Sequence, residues 1–348
     1  MSVLGVGFIG AGPVTQAIHL PHLAGLSDRL RTVHVMDVDP GTAEAVAART
    51  GARASTSVAE LLADPRVDVV AVCSPHSFHA EQAEACVRAG KKAILVEKPF
   101  ATTVGDAERI AHVSAEAGVP VVVGAMHTYD PAYLAAAHHW NDLPATARHI
   151  RSVIQLPPNS RYETLATQLH GTPPPPPTAD LTSPDGRTAL MSGLILGLAI
   201  HNLPLVRRFL PEVEAVDHAI LLDPAGYSVT LHGPDGRTAE LVGHIGHSWR
   251  PEWTFEAWGA DTSLHLDFTP SYVRAGSAEA TVRTPEGTRS FGPFPHNGYA
   301  AEWLHLADLA NGVTDPLHSP KDLVEDLAYA IRLADLAGRF LSREGARA

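Results

Sequence analysis

The spacing of hydrophobic and polar residues changes near residue 125, and before that point short apolar runs alternate with stretches of helical periodicity. Continuous apolar runs are typical of buried parallel strands, and their alternation with helices predicts crossover units that cover both faces of one sheet. The predicted strands are Val3–Ile9, Thr32–Met36, a short one near Ala52, Val67–Cys73, Ala93–Val96 and Val119–Val123. The predicted helices are Val14–Leu26, Gly41–Thr50, Phe78–Ala89 and Val104–Ala117.

The second part of the chain has the pattern of an antiparallel sheet flanked by helices. A strand is predicted at Ile150–Leu156, and short strands separated by Gly, Pro and Asp turns run from Val213 to Phe291. The apolar segment Met191–Ile200 leads to His201, and two helices are predicted around Tyr299–Ala310 and Lys321–Leu341.

Residues 157–186 lack a periodic pattern and include five consecutive prolines, Pro173–Pro177. Such a run favours an extended polyproline segment. It could link two domains, but strand and helix signals flank it, so we interpret it as a loop within the second domain.

A glycine-rich turn directly follows the first strand. Gly10 and Gly12 leave the backbone open to close approach, and a helix beginning at Pro13 and Val14 directs free N–H groups and its positive dipole end above the turn. This predicts a site for a dinucleotide pyrophosphate. The third glycine of the G-x-G-x-x-G pattern is Thr15 here, so a strand-to-helix turn without a ligand is the alternative.

Asp37 follows the second strand, where a carboxylate can accept hydrogen bonds from both ribose hydroxyls of an adenosine. It would also repel a 2′-phosphate, and Val38 and Asp39 bring no positive charge. The sequence therefore favours NAD over NADP. Asp37 could instead be an ordinary loop acid or the cap of the helix after Pro40.

Two more polar segments follow predicted parallel strands, at the edge of the sheet where ligands bind. Ser74, Pro75, His76 and His79 follow one strand, and Glu97, Lys98 and Pro99 follow the next. These residues are predicted to contact the cofactor, and the Lys98–Pro99 bond could be cis. Glu97 and Lys98 could alternatively form a solvated ion pair in a loop.

Composition excludes several other classes of protein. The 348 residues carry a net charge of −12, which does not favour nucleic acid or an anionic membrane as a partner. We find neither an apolar run long enough to span a bilayer nor a basic segment before the first strand, so the sequence predicts a cytoplasmic protein. The two cysteines, Cys73 and Cys86, form no disulfide framework and have no histidine cluster that indicates a metal site.

Taken together, the motifs resemble those of the Gfo/Idh/MocA family (glucose-fructose oxidoreductase and inositol dehydrogenase). They are the Gly10/Gly12 turn, Ser74-Pro75 with His79, Glu97-Lys98-Pro99, Tyr129-Asp130-Pro131 and the apolar helix ending in His201. The resemblance implies an α/β fold, with an N-terminal Rossmann parallel sheet (1–126) and a C-terminal α+β domain (127–348) with a large open, mainly antiparallel sheet. It also implies a homodimer or homotetramer formed through that sheet.

The resemblance implies reversible oxidation of a secondary hydroxyl on a sugar, cyclitol or related polyol by NAD. Lys98 would contact the reacting hydroxyl and His201 would be the acid/base, although His201 could also be a core or capping histidine. Many members carry an Asp four residues before this histidine, where this chain has Gly197. Asn202 and His76 also differ from the common pattern. Asp130 or an acid of the proline-rich loop is a candidate to compensate for the missing Asp.

Polar and aromatic residues expected near the cleft are candidates for binding the substrate. They are His127, Tyr129, Arg161, His296 and Tyr299, together with Tyr162 and Asn297, whereas Trp249, Trp253 and Trp258 are expected to pack the sheet. Two other functions remain open. One is hydrolysis or elimination with tightly bound NAD as a transient oxidant, and the other is a non-catalytic NAD-binding regulator.

Overall fold

A computed structural model describes residues 2–171, 180–246 and 250–345. Within it the chain forms two compact units, each assembled from three segments. The first unit comprises Met1–Gly124, Ser160–Pro175 and Tyr299–Leu327, and the second comprises Ala125–Asn159, Pro176–Gly298 and Ala328–Ala348. The first boundary falls close to residue 126, but later segments return to the first unit. The division into domains 1–126 and 127–348 therefore stays a prediction about which parts fold independently.

A six-stranded parallel sheet forms the centre of the first unit. Its strands are β1 (Leu4–Ile9), β2 (Leu30–Met36), β3 (Arg53–Ser55), β4 (Val69–Val72), β5 (Ala93–Val96) and β6 (Val121–Val123). Their order is β3-β2-β1-β4-β5-β6, the doubly wound arrangement of dinucleotide-binding domains. All residues of β1, β4 and β5 are buried, as expected for strands covered on both faces.

Helices that begin at identifiable caps connect these strands. They are α1 (Leu20–Ala24), which continues a π-helical turn at Thr15–His19, α2 (Pro40–Thr50), α3 (Val58–Ala63), α4 (His79–Arg88), which follows a 3-10 turn at His76–Phe78, and α5 (Val104–Ala117). Asp39, Ser57 and Thr103 accept hydrogen bonds from backbone N–H groups at the starts of α2, α3 and α5. Asp39, and not Asp37, is therefore the cap of α2.

An eight-stranded, mainly antiparallel sheet forms the centre of the second unit. Its strands are β7 (His149–Leu156), β8 (Ala215–Leu222), β9 (Gly226–His232), β10 (Thr238–Ile245), β11 (Glu252–Trp258), β12 (Ser263–Asp267), β13 (Glu279–Thr284) and β14 (Gly287–Phe291). The order is β14-β13-β12-β11-β7-β10-β9-β8, and only β10 and β7 pair in parallel. Burial alternates along β11, where Trp253, Phe255 and Ala257 face the core.

The remaining helices complete the two units. They are α6 (Pro131–Ala137), α7 (Leu143–Thr146), α8 (Asn159–Ala166), α9 (Pro184–Gly197), α10 (Leu203–Phe209), α11 (Gly298–Ala310) and α12 (Pro320–Gly345). In the described part of the chain no single helix is long and apolar enough to cross a membrane. One bent pair, Pro184–His201 with Leu203–Phe209, meets the criteria of length and composition only when its arms, 77° apart, are combined.

Residues 157–186 were interpreted from the sequence as a loop, but this stretch contains α8 and the start of α9. Its described residues 160–171 group with the first unit. The local sequence pattern does not reveal this arrangement, because His170 is hydrogen-bonded to Gln16, which lies 154 positions away. The proline run is outside the described residues.

Candidate active site

The turn after β1 has the geometry of a dinucleotide cradle. Gly10 has φ of +95°, and a Cβ there would lie 2.7 Å from the backbone of Cys73, so only glycine fits. A Cβ on Gly12 would meet no atom within 4 Å, which leaves open space in front of the turn. Thr15 is fully buried, and its hydroxyl donates to the carbonyl of Gly10 over 2.7 Å. The threonine in the third glycine position therefore holds the turn in shape.

Pro13 and Val14 open the helix that follows this turn, and the first N–H groups of a helix have no partner within the helix. The residues present thus fit a dinucleotide: glycines allow close approach, and free N–H groups can receive the pyrophosphate.

Asp37 links the glycine turn to the end of β2. Its Oδ2 accepts the backbone N–H of Ala11 over 2.8 Å, and its Oδ1 accepts that of Asp39 over 3.0 Å. A carboxylate has further lone pairs for ribose hydroxyls. The position agrees with the predicted role, and the bond to Ala11 additionally couples this acid to the shape of the turn.

A short segment of the chain is hydrogen-bonded beside the same turn. The side-chain amide of Gln16 donates to the carbonyls of Ala11 (2.7 Å) and His170 (2.8 Å), and its Oε1 accepts the N–H of His170 (2.8 Å). Arg49 on α2 donates to Thr167 and to the carbonyl of Gln168. We call residues 167–171 the strap, because they run from the helix after β1 to α2.

His79 and Ser74 hold the loops after β4 and β5 together. The buried ring of His79 lies 2.8 Å from each of two carbonyl oxygens, those of Ser74 and Pro99. The hydroxyl of Ser74 donates to Gln82 over 2.6 Å. His79 is therefore engaged in positioning these loops, and a direct contact of its ring with the cofactor would break one of the two bonds.

His76 and Pro75 lie on the exposed side of the same loop. The rings of His76 and His79 meet edge to face at 5.4 Å. The surrounding protein atoms and the charges of His79 and Lys98 lower the pKa of His76, which keeps its ring neutral at physiological pH. Pro75 precedes the 3-10 turn that carries His76.

Glu97 is buried, and its carboxylate is hydrogen-bonded on both oxygens. Nε2 of His19 lies 2.9 Å from Oε1, and the backbone N–H of Lys98 donates to Oε2 over 3.1 Å. Burial acts to raise the pKa of Glu97, but these bonds and the charge of Lys98 hold it below its ordinary value. The solvated ion pair considered from the sequence does not form, because Glu97 faces the interior of the first unit.

His19 receives a further hydrogen bond, from Trp303. Its Nδ1 accepts the indole N–H over 3.1 Å, and an indole nitrogen can only donate. Burial acts to lower the pKa of His19, whereas Cys73 and Glu97 act to raise it. A second proton would have to occupy Nδ1 and displace the indole, so we assign a neutral ring that donates from Nε2 to Glu97. Neither His19 nor Trp303 belongs to a local motif, so sequence analysis did not identify them.

Lys98 follows β5 and joins Pro99 through a cis peptide bond. Burial lowers the pKa of its ammonium group, and the negative charge of Glu97 partly opposes this shift. Lowering the pKa of an amine makes it better suited to exchange protons near neutral pH.

His201 in the second unit lies in a 3-10 turn, Ala199–His201, directly after α9. It is half-buried, its Nδ1 is 3.4 Å from the sulfur of Met126, and its ring meets Trp253 edge to face at 5.3 Å. Gly197 is the last residue of α9, so it and His201 do not share one continuous α-helix. A Cβ at Gly197 would meet no atom within 4 Å, so the position of the missing acid is open.

Asn202, next to His201, is a buried hydrogen-bonding centre. Its Oδ1 is 2.7 Å from Nδ1 of His127 and accepts the indole N–H of Trp253 over 3.1 Å, and its amide donates to Ser152 over 2.8 Å. Asp130 caps α6 and accepts the N–H of Ala278 over 3.0 Å. Asp130 is thus already engaged in structural bonds and does not replace the missing acid.

The structure does not support His127 as an exposed substrate contact. It is 3% exposed and stacks on Phe268 with ring centres 3.7 Å apart. Burial lowers its pKa to about 3, in spite of the bond to Asn202. The residues after β6 turn into the core of the second unit, and a role of His127 in substrate binding stays a prediction.

The other predicted substrate residues are divided between the units. Tyr129 is buried and His296 is exposed in the second unit, whereas Arg161 is exposed on α8 in the first. Tyr299 is buried in the first unit against His19 and His22. Substrate binding by these residues stays a prediction. Of the tryptophans, Trp253 packs the core and Trp258 stacks on His149, whereas Trp249 is outside the described residues.

The strand order, the glycine turn and the acid after β2 define a dinucleotide-binding fold. Residues 4–125 match the family model "Oxidoreductase family, NAD-binding Rossmann fold". The chain is 31% identical over 314 residues to inositol 2-dehydrogenase 1 of Saccharopolyspora erythraea, a match that covers 85% of this chain and 90% of that relative. The protein belongs to the Gfo/Idh/MocA family, and it is an enzyme that uses a nicotinamide dinucleotide.

Two further comparisons extend over nearly the whole chain. It is 26% identical over 339 residues to 1,5-anhydro-D-fructose reductase of Ensifer adhaerens, covering 95% of each protein. The fold matches a crystal structure of KijD10, a 3-ketoreductase from Actinomadura kijaniata in complex with NADP and TDP-benzene. That match has a TM-score of 0.70 and 20% identity and covers 96% of both chains.

Proposed function

We propose that this protein is an NAD(H)-dependent dehydrogenase or reductase acting on a secondary hydroxyl or ketone of a sugar, a cyclitol or a related polyol. The observation that carries the proposal is the segment Glu97-Lys98-Pro99 at the carboxyl end of β5. The glutamate is hydrogen-bonded to His19 and to the backbone N–H of Lys98. The named relatives that act on inositol and 1,5-anhydro-D-fructose support the class of substrate.

The residues of the first unit would hold the cofactor. Backbone N–H groups after Gly12 receive the pyrophosphate, and Asp37 accepts from the adenosine ribose. A bound nicotinamide supplies the hydride acceptor or donor. Because a relative with the same fold was solved with NADP, both cofactors belong in the test, with NAD preferred on account of Asp37.

Lys98 and His201 would handle the proton. When the carbinol loses hydride, its hydroxyl becomes acidic, so a base must take the proton and a cation can stabilise the developing alkoxide. Lys98 supplies the cation and His201 accepts the proton. In the reverse direction His201 returns that proton to the reduced oxygen.

The decisive experiment is reduction of NAD and NADP by a panel of inositols and sugars, and the reverse reaction with 1,5-anhydro-D-fructose. Lys98→Ala is expected to lower kcat by at least about 100-fold, as for loss of an acid–base group. Lys92→Ala is the matched control, because Lys92 is half-exposed and pairs with Asp68. Equal turnover of the two variants would remove Lys98 from the mechanism.

A second function is favoured by the strap. Hydrolysis or elimination through transient substrate oxidation requires that the cofactor be retained between turnovers. The hydrogen bonds of Gln16 and Arg49 to residues 167–170 support slow release. Copurified cofactor and cleavage of a glycoside without net NADH would identify this chemistry.

The assembly and location of the enzyme are part of the same proposal. We infer a homodimer or homotetramer formed through the eight-stranded sheet, in the cytoplasm. Light scattering of the wild-type protein, repeated after charge reversal of Arg151 on β7, tests the assembly. Arg151 is half-exposed and lies 3.9 Å from Glu256. An unchanged mass would argue against this sheet as the interface.

A further inference from the structure

Glu302 on α11 is a buried carboxyl group that the proposed mechanism does not use. It is 0% exposed, and neither of its oxygens has a hydrogen-bond partner among the described residues. An ionised carboxylate is very costly in such surroundings unless it is paired. A protonated carboxyl group avoids most of this cost, because it carries no charge.

The surroundings of Glu302 differ from those of Glu97, a second buried acid of this unit. We call His19, Glu97, Glu302 and Trp303 the buried acid cluster. Glu97 accepts hydrogen bonds on both oxygens, from His19 and from Lys98, whereas Glu302 accepts none from the described residues. His19 is fixed as a donor to Glu97 by the indole of Trp303. The geometry therefore favours the negative charge on Glu97 and the proton on Glu302.

The electrostatic surroundings of the buried acid cluster also favour a protonated Glu302. Burial and the negative charge of Glu97 raise the pKa of Glu302 well above its ordinary value. The titratable groups packed around the cluster are Cys73, Lys98, His22 and Tyr299. Two neighbouring acids whose environments favour opposite protonation states are a recurring arrangement in active sites.

We propose that Glu302 is a positioning residue that keeps its proton at neutral pH and leaves Glu97 as the single negative charge behind Lys98. Its role in catalysis rests on the function proposed above. If both acids were ionised, the second negative charge would repel Glu97 and change the electrostatic balance of the lysine loop. A neutral Glu302 keeps one charge, at the carboxylate whose oxygen accepts the N–H of Lys98.

Infrared spectroscopy tests the protonation directly and needs no substrate. The wild-type protein at pH 7 is expected to show the carbonyl stretch of a protonated carboxyl group, and Glu302→Gln is expected to lack this contribution. Glu116→Gln is the matched control, since the Glu116 side chain is 67% exposed. In Glu97→Gln the band of Glu302 is expected to titrate at lower pH, because the neighbouring negative charge has been removed.

Unfolding by urea gives a second measurement on the same variants. A raised pKa in the folded state means that unfolded protein releases this proton at lower pH, so stability falls as the pH rises above 4.5. Glu302→Gln has no proton to release at this position, so its free energy of unfolding should exceed that of wild type between pH 5 and pH 8. No gain, or an infrared difference at pH 7 no larger than that of Glu116→Gln, would overturn the proposal.

Activity then tests the role at Lys98. Gln has the shape of a protonated glutamate, so Glu302→Gln is expected to keep kcat within about threefold of wild type. A folded Glu302→Gln protein that loses tenfold or more would show that the carboxylate form is needed, and the proposal would be wrong. If the enzyme oxidises no polyol, the infrared and unfolding measurements still decide the protonation, so the two failures remain distinguishable.

Discussion

The backbone N–H of Ala11 donates to Oδ2 of Asp37 over 2.8 Å, and this bond joins the ends of β1 and β2. The same carboxylate thus shapes the glycine turn and is available to a ribose. The effects of its charge and of its hydrogen bonds can be separated by mutation. An amide at this position can still accept a hydrogen bond from Ala11 but carries no charge.

Asp37→Asn is expected to change the choice of cofactor. Loss of a hydrogen bond to a charged group costs about 1.5–3 kcal/mol, so NAD binding should weaken by roughly 10- to 100-fold. NADP should lose less or gain, since the negative charge facing its 2′-phosphate is removed. Calorimetric titration with both cofactors measures the ratio. Asp39→Asn, which alters only the cap of α2, should leave that ratio unchanged.

Gln16→Leu is expected to loosen the strap. The three hydrogen bonds that Gln16 makes with Ala11 and His170 would be lost, and the free energy of unfolding should fall by about 1–3 kcal/mol. Stopped-flow fluorescence should show faster release of NADH. Arg49→Ala removes the exposed anchors of the same strap and should have a smaller effect on stability. Unchanged NADH release in both variants would contradict the assignment of the strap to cofactor retention.

His127 is expected to make stability depend on pH. It stays neutral in the folded protein down to about pH 3, whereas an unfolded chain protonates it near 6.5. The unfolded state then binds more protons, so stability falls as the pH falls from 6.5 towards 3, with a slope of at most ~1.4 kcal/mol per pH unit.

His127→Phe keeps an aromatic ring beside Phe268 and should flatten this slope. Urea unfolding between pH 4 and 7 measures it. His112→Gln, whose wild-type side chain is 70% exposed, is the control and should behave as wild type. A slope of equal size in all three proteins would assign the dependence to other groups.

Gly197→Asp is expected to raise activity. The position has room for a side chain, and an acid there could orient His201. Because His201 lies in a 3-10 turn and not on the same α-helix, we expect a rise in kcat of about tenfold, below the roughly 100-fold or more of a fully positioned acid–base group. Gly193→Asp, on the same helix and equally open, is the control. Equal kcat values for the two variants would show that an acid at 197 does not reach the reaction.

The sequence predicted what depends on local chemistry. The parallel sheet follows from apolar runs that alternate with helices. The turn at Gly10, the acid Asp37 and the lysine after β5 all lie in local motifs that directly follow strands. The fold class and the family were confirmed. Caps such as Asp39 and Thr103 show why the helices begin where they do.

What the sequence did not reveal depends on contacts between distant residues. Gln16 and His170 are 154 positions apart, and Trp303 and His19 are 284 apart. No local pattern marks such pairs. The same limit applies to the burial of His127, whose ring packs against Trp253 and Phe268 from distant parts of the chain.

The segment Tyr299–Leu327 belongs to the first unit, and Trp303 within it packs against Phe8 of β1 with ring centres 5.9 Å apart. During synthesis on the ribosome, the hydrophobic core of the first unit therefore stays incomplete until Trp303 has been added and has left the exit tunnel. A nascent chain that has emerged only as far as Met126 leaves the apolar surface around Phe8 uncovered. Chaperones that bind exposed apolar surface are expected to engage the chain over that whole interval, and a premature stop codon before residue 299 should yield a product that is degraded.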